Sequence, residues 1–146
     1  MNKVFEKYKD MHREKRVFLI ANGPSLANTN LDLIKDEYTI AMNRISLIYP
    51  KTKWRPTYYL FSSTNVKPEK PWADKWLNSV WEAIDEKSTT SFVASQFKPY
   101  IDPYGNYNVN WFGSMSENKP DVLGNISESC FSQDVVNRID KTGTTM

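Results

Sequence analysis

The chain has little cysteine, no long apolar run and almost no net charge, and each shortage closes off a class of protein. Cys130 is the one cysteine among 146 residues, so no intramolecular disulfide and no zinc site of several thiolates can form. Such sparing use fits a reducing compartment. No stretch approaches the roughly 18 apolar residues of a membrane span. The opening Met1-Asn2-Lys3-Val4-Phe5-Glu6-Lys7 is too charged for a secretory signal. A cytoplasmic protein without a transmembrane segment is the expectation. The formal charge of +2 is too small for nucleic-acid binding by bulk electrostatics. It leaves room for a local basic pocket and an anionic ligand.

What is present is material for a core. Hydrophobic residues make up 40% and charged residues 25%, a balance that argues for a packed fold over disorder. The length suits a single domain spanning 1–146. Val4, Tyr8 and Met11, with Phe5 beside them, predict an amphipathic helix over 3–15. Val17-Phe18-Leu19-Ile20-Ala21 runs without alternation and predicts a strand buried on both faces. Leu31, Leu33 and Ile34 predict a short helical segment capped by Asn30. Strands are expected at 38–42, 56–61 and 91–94, with a loop around Tyr49-Pro50 and Trp54. A helix is expected from Pro71 to 86, where Trp72, Trp76, Leu77, Val80, Trp81 and Ile84 repeat at helical spacing. Residues 95–130 read as a long loop region with one short strand near Tyr107–Phe112, followed by a helical turn at Val135, Val136 and Ile139. This alternation predicts α/β architecture: a Rossmann-like, mainly parallel sheet flanked by helices.

Candidate site residues follow from where the strands stop. In an open parallel sheet, ligands bind beyond the carboxyl ends of the strands. The first three predicted strands stop at Asn22, Asn43, and Ser62 with Ser63. Amide and hydroxyl groups of this kind suit base, ribose and phosphate oxygens. In Asn22-Gly23-Pro24-Ser25, Gly23 permits close backbone approach. Pro24 fixes entry into a turn or helix. Ser25 and the next backbone N–H groups can face an anion at a helix N-terminus. One glycine is far from a dinucleotide fingerprint or P-loop, and a strand-to-helix turn accounts for the same residues. Arg44 can pair with a diphosphate or serve as a surface residue at a strand end. Asp32, Asp36 and Glu37 lack a convergent partner, so no metal site is expected. Asp102 and Asp121 fall in loops with nothing to orient them. His12, the single histidine, reads as a surface residue, and Cys130 has no neighbour to activate it.

Phe18-Leu19-Ile20-Ala21-Asn22-Gly23-Pro24-Ser25-Leu26, with Met42-Asn43-Arg44 after the second strand, resembles the opening of bacterial sialyltransferases of glycosyltransferase family 42. It also resembles the wider group that includes domain-of-unknown-function 115 and 6-hydroxymethylpterin diphosphokinase-like proteins. Thr142-Gly143-Thr144 resembles the small turn that begins a later helix and faces the same nucleotide. The resemblance covers residues 16–64 and 141–146, and it implies an N-terminal part of the domain, incomplete at the C-terminus. It implies donor contacts at Asn22, Gly23, Ser25, Asn43, Thr142, Gly143 and Thr144. Ser62 or Ser63 stands where the sialyltransferase branch often has Asn. That branch uses a His base further along the chain, and no catalytic residue is assigned here.

The expected function is therefore glycosyltransferase-like: binding a nucleotide-activated sugar, such as a CMP-activated one, for transfer to a glycan acceptor. No resident cofactor is expected. One alternative is diphosphate transfer from ATP to a pterin-type alcohol, which needs Mg²⁺. The other is a non-catalytic remnant that binds a partner or forms a homo-oligomer.

Overall fold

A four-residue helix, α1 (Lys3–Glu6), precedes five short strands rich in β-branched and aromatic residues. These are β1 (Val17–Ile20), β2 (Tyr38–Met42), β3 (Tyr58–Phe61), β4 (Thr90–Ala94) and β5 (Val109–Phe112). In the computed structural model, which describes residues 3–62 and 73–112, the strands form one sheet. Every neighbouring pair is parallel, and spatial order follows chain order. The chain is thus an α/β protein of Rossmann-like arrangement. No reversal of strand order occurs among the described strands. The crevice that such a reversal opens in doubly wound sheets is therefore absent among the described residues.

Parallel neighbours require crossovers. Between β1 and β2 lie two 3-10 segments, Pro24–Asn28 and Leu31–Ile34; between β2 and β3 lies a third, Ile45–Lys51. The helix α2 (Ala73–Ile84) falls between β3 and β4. A 3-10 turn, Ser95–Phe97, leads directly into α3 (Lys98–Ile101) before β5. The helix α2 buries Ala73, Leu77, Val80, Ala83 and Ile84, a stripe at helical spacing. Asp74 in its first turn complements the helix dipole.

Strand alternation sorts the side chains onto two faces. Thr39, Ala41, Tyr59, Phe61, Ser91 and Val93 are buried, and the register places them together. With α2 and Ile45, Trp54, Phe97 and Ile101 they form the core. Burying each of the larger apolar side chains, such as Phe61, Val93, Val80 and Ile101, stabilises by about 1.5–3 kcal/mol. The Ser46 hydroxyl donates to the Ser79 carbonyl at 2.7 Å, and the Trp81 indole donates to the Ile101 carbonyl at 2.9 Å. Both bonds tie a crossover to α2. The opposite face carries Tyr38, Ile40, Tyr58, Leu60, Phe92 and Asn110, and it meets the N-terminal arm. Phe5 stacks on Phe92 at 5.3 Å, and the Tyr8 hydroxyl donates to Asn110 at 3.3 Å.

Several expectations change. The arm is not one helix over 3–15, because Asp10 and Glu14 take positive φ and break it into turns. Its stripe nevertheless reaches the sheet through Phe5, Tyr8 and Met11. The first strand is not buried on both faces. It forms an edge of the described sheet, with Val17 55% and Leu19 63% exposed. The loop around Tyr49-Pro50 is a 3-10 helix. The short strand expected near Tyr107–Phe112 is observed as β5, but the described part of the 95–130 region ahead of it holds two helical turns where loop was expected. Trp72 and the turn expected at 135–139 lie outside the described residues.

Candidate functional site

The carboxyl ends of β1, β2 and β3 lie side by side, and hydrogen bonds lace them together. The Asn22 side-chain amide donates to the Met42 carbonyl at 2.8 Å, joining the end of β1 to that of β2. The Asn43 backbone N–H donates to the Leu60 carbonyl at 3.1 Å, joining β2 to β3. The Tyr59 hydroxyl donates to the Asn43 carbonyl at 2.6 Å. Burial holds that hydroxyl well above the ordinary tyrosine range. Asn22, Asn43 and Ser62 therefore share one rim. Asn22 is exposed, while Asn43 and Ser62 are half-buried.

Asn43 has φ 53°, the left-handed region that asparagine tolerates better than most residues. Its identity thus has a backbone reason independent of any ligand. Arg44 follows, with its guanidinium 5.2 Å from the centroid of the Trp76 ring on α2. Its Nε is buried without a hydrogen-bond partner among the described residues. Stacking positions the cation close behind the rim.

The turn after β1 departs from expectation. Pro24–Asn28 is a five-residue 3-10 helix, too short to carry much macrodipole, and Gly23 caps it without a side-chain bond. Gly23 has φ −74° and ψ 159°, an extended conformation that does not demand glycine. A Cβ there would meet only the Ser25 hydroxyl oxygen at 3.7 Å. The first amide of the turn past Ser25 is already engaged, since Leu26 N–H donates to the Gly23 carbonyl. The Ser25 carbonyl accepts from Thr29. Open space beside Gly23 still permits close approach, but the expected helix N-terminus is a tight turn. Ser63, Thr142, Gly143 and Thr144 lie outside the described residues, as do Asp121 and Cys130.

Three residues have more structure around them than their sequence context indicated. Asp32 accepts from the Thr52 hydroxyl at 2.7 Å and from the N–H groups of Lys53 and Trp54 at 2.9 and 3.0 Å. The Thr52 bond, with the two backbone donors, holds its carboxyl below the usual aspartate range. Asp102 is buried rather than unoriented, and it accepts from the N–H groups of Asn106 and Tyr107. The sequence Asp102-Pro103-Tyr104-Gly105 is the turn signal that could have found it. His12 is not a free surface residue. Its Nε2 lies 2.5 Å from the Tyr58 hydroxyl, and its ring packs 3.9 Å from that of Tyr38. Its spacing from Phe5 and Tyr8 extends the arm's apolar stripe, which was the available clue. Among the described residues no group of three or more His, Cys, Asp or Glu side chains could hold a metal ion, and no helix is long and apolar enough to cross a membrane.

The sheet defines the class: an all-parallel α/β protein whose polar residues collect at the carboxyl ends of its first three strands. No family model, curated protein or solved structure matches the chain.

Proposed function

We propose that the chain binds the nucleotide part of a nucleotide-activated sugar along the β1–β3 rim, as a glycosyltransferase-like protein. One observation carries the reading: three consecutive parallel strands end in Asn22, Asn43 and Ser62 on a common rim, with Arg44 stacked just behind it. Amides and a hydroxyl offer donors and acceptors together, and the guanidinium offers a fork for phosphate oxygens. Transfer would proceed by attack of an acceptor hydroxyl on the anomeric carbon, with the nucleoside phosphate leaving. The rim's contribution is positioning and stabilisation of charge on the departing phosphate.

Calorimetric titration with CMP, CDP, UDP and ATP tests the reading. A saturable signal with a pyrimidine nucleotide is expected; no heat with any of the four would overturn it. Asn43→Gly sharpens the test, because glycine keeps the left-handed backbone and removes the amide. Binding should weaken about fivefold or more, the loss expected for one hydrogen bond.

A second reading is self-association without catalysis, favoured by the exposed Val17 and Leu19 on β1. A sedimentation coefficient that stays at the value of a 17.0 kDa monomer as concentration rises would remove it.

A further inference from the structure

Between the arm and the sheet lies a cavity of about 270 Å³. Phe5, Tyr8 and His12 line it from the arm; Ile40, Tyr58, Tyr59, Leu60 and Phe92 line it from the sheet. Among the described residues, no lysine, arginine, aspartate or glutamate side chain borders it. An anion or a cation entering it would lose hydration without a counter-charge. The polar groups at hand are hydroxyls and an imidazole. The Tyr8 hydroxyl is spent on Asn110 and the Tyr59 hydroxyl on the Asn43 carbonyl, which leaves the His12–Tyr58 pair as the cavity's hydrogen-bonding end.

The walls are ring surfaces. Phe5, Tyr8, Tyr58 and Phe92 pack with centroids 4.9 to 6.1 Å apart, some stacked and some edge-on. Such walls favour a flat π-system over a flexible chain, because ring pairs add attraction beyond area burial. Size sets an upper bound. An apolar cavity of about 150 Å³ suffices for benzene, and drug-sized ligands occupy about 300 Å³ or more. The space here therefore suits two fused rings. Access is built in as well, since the arm beyond α1 runs as turns, with Asp10 and Glu14 in the left-handed region. Aromatic contacts, rather than a continuous helix, hold it on the sheet.

We propose that this cavity is a binding site for a small, uncharged, flat aromatic molecule bearing one hydroxyl or N–H, which bonds to the His12–Tyr58 pair. The site is independent of the nucleotide reading and stands or falls without it.

The chain's one histidine gives a clean reporter, because its ring C2 proton is a single resonance in an untagged protein. Titration of 2-naphthol into the full chain should shift that resonance saturably. Tyr58→Phe should weaken binding about fivefold, the loss expected for one hydrogen bond. Ile40→Trp, which fills the cavity, should abolish the shift while the thermal transition persists. 2-Naphthalenesulfonate, of the same shape but charged, should bind at least about tenfold more weakly, as an uncompensated charge requires. A His12 resonance that stays put at saturating 2-naphthol would overturn the proposal. So would equal binding of the sulfonate, or wild-type binding by a folded Ile40→Trp. Should Ile40→Trp not fold, the Tyr58→Phe titration decides: unchanged affinity there overturns the hydrogen-bonded site.

Discussion

The two faces of the sheet use the same strands and are covered in opposite ways. On one face Tyr59, Phe61 and Val93 are 0% exposed beneath segments that are themselves the connections between neighbouring strands. On the other face Tyr58, Leu60 and Phe92 meet an arm from the start of the chain, and the Tyr8–Asn110 bond spans 102 positions. Crossovers cover their face as a consequence of parallel pairing. The arm must be brought back at the entropic cost of closing a long loop. It covers β2 to β5 and leaves Val17 and Leu19 on β1 largely in solvent. Stability is expected to concentrate on the crossover side, and adaptability on the arm side.

The sharpest way to break that contrast is to empty both faces in turn. Phe61 lies beneath the crossover layer and packs on Phe97 at 4.7 Å. Phe61→Ala should cost about 3–5 kcal/mol, read as the loss of the cooperative denaturant transition or a large shift of its midpoint. Phe5→Ala removes ring contacts to Phe92 and Phe112 from a side chain that is already 37% exposed. Its cost should be about 1–2 kcal/mol, from one partly buried ring and its pairings. Amide exchange should speed up across residues 5–15 and stay unchanged in β2 and β3. Equal costs for the two substitutions would mean that the arm folds as part of the core.

How much of this was legible in the sequence depends on whether local pattern or distant contact decides. The strand at 38–42 and the helix stripe of Leu77, Val80 and Ile84 follow from short-range periodicity, and both are observed. Val17-Phe18-Leu19-Ile20-Ala21 misled because an apolar run encodes no neighbour. It became an edge strand with an alternating exposure pattern. The arm misled in the other direction. Its stripe was readable, but the left-handed Asp10 and Glu14 were not, since neither residue type demands that conformation. Within the candidate site, Asn22 and Asn43 were visible as strand ends. The bond from Asn22 to the Met42 carbonyl depends on register, which no local pattern carries. The His12–Tyr58 pair joins elements 46 positions apart and was illegible for the same reason.

A smaller effect tests how the crossover side is held. Asp32 gathers Thr52, Lys53 and Trp54 and so fixes the approach to β3. Its carboxyl is held below the unperturbed value of 3.8, chiefly by the Thr52 hydroxyl. A depressed acid stabilises the fold fully above the unfolded value, and that contribution is lost as pH falls through the folded one. Asp32→Asn should therefore lower the melting temperature at pH 7. The gap from wild type should begin to narrow as pH falls below the unfolded value of 3.8 and close only as pH passes the lower folded one. A gap of constant size from pH 3 to pH 7 would show that the charge contributes nothing and the geometry alone matters.

The smallest expected effect is also the one that tests the open side directly. Leu19 stands beside Ile40 in the register and projects from the same face as the arm, at the edge that the arm leaves bare, 63% exposed. For a side chain that wet, folding removes little apolar surface from water, and Leu19→Ser should change stability by no more than about 0.5 kcal/mol. Serine also removes an aggregation-prone patch from an edge strand, so solubility should hold or improve. A destabilisation of about 2 kcal/mol or more would match the loss of a buried leucine instead. Leu19 would then be covered in solution, and the contrast between a sealed face and an open one would give way to two sealed faces. Repeating the measurement at a tenfold lower protein concentration separates cover by a second copy, whose contribution fades on dilution, from cover within the chain, whose contribution does not.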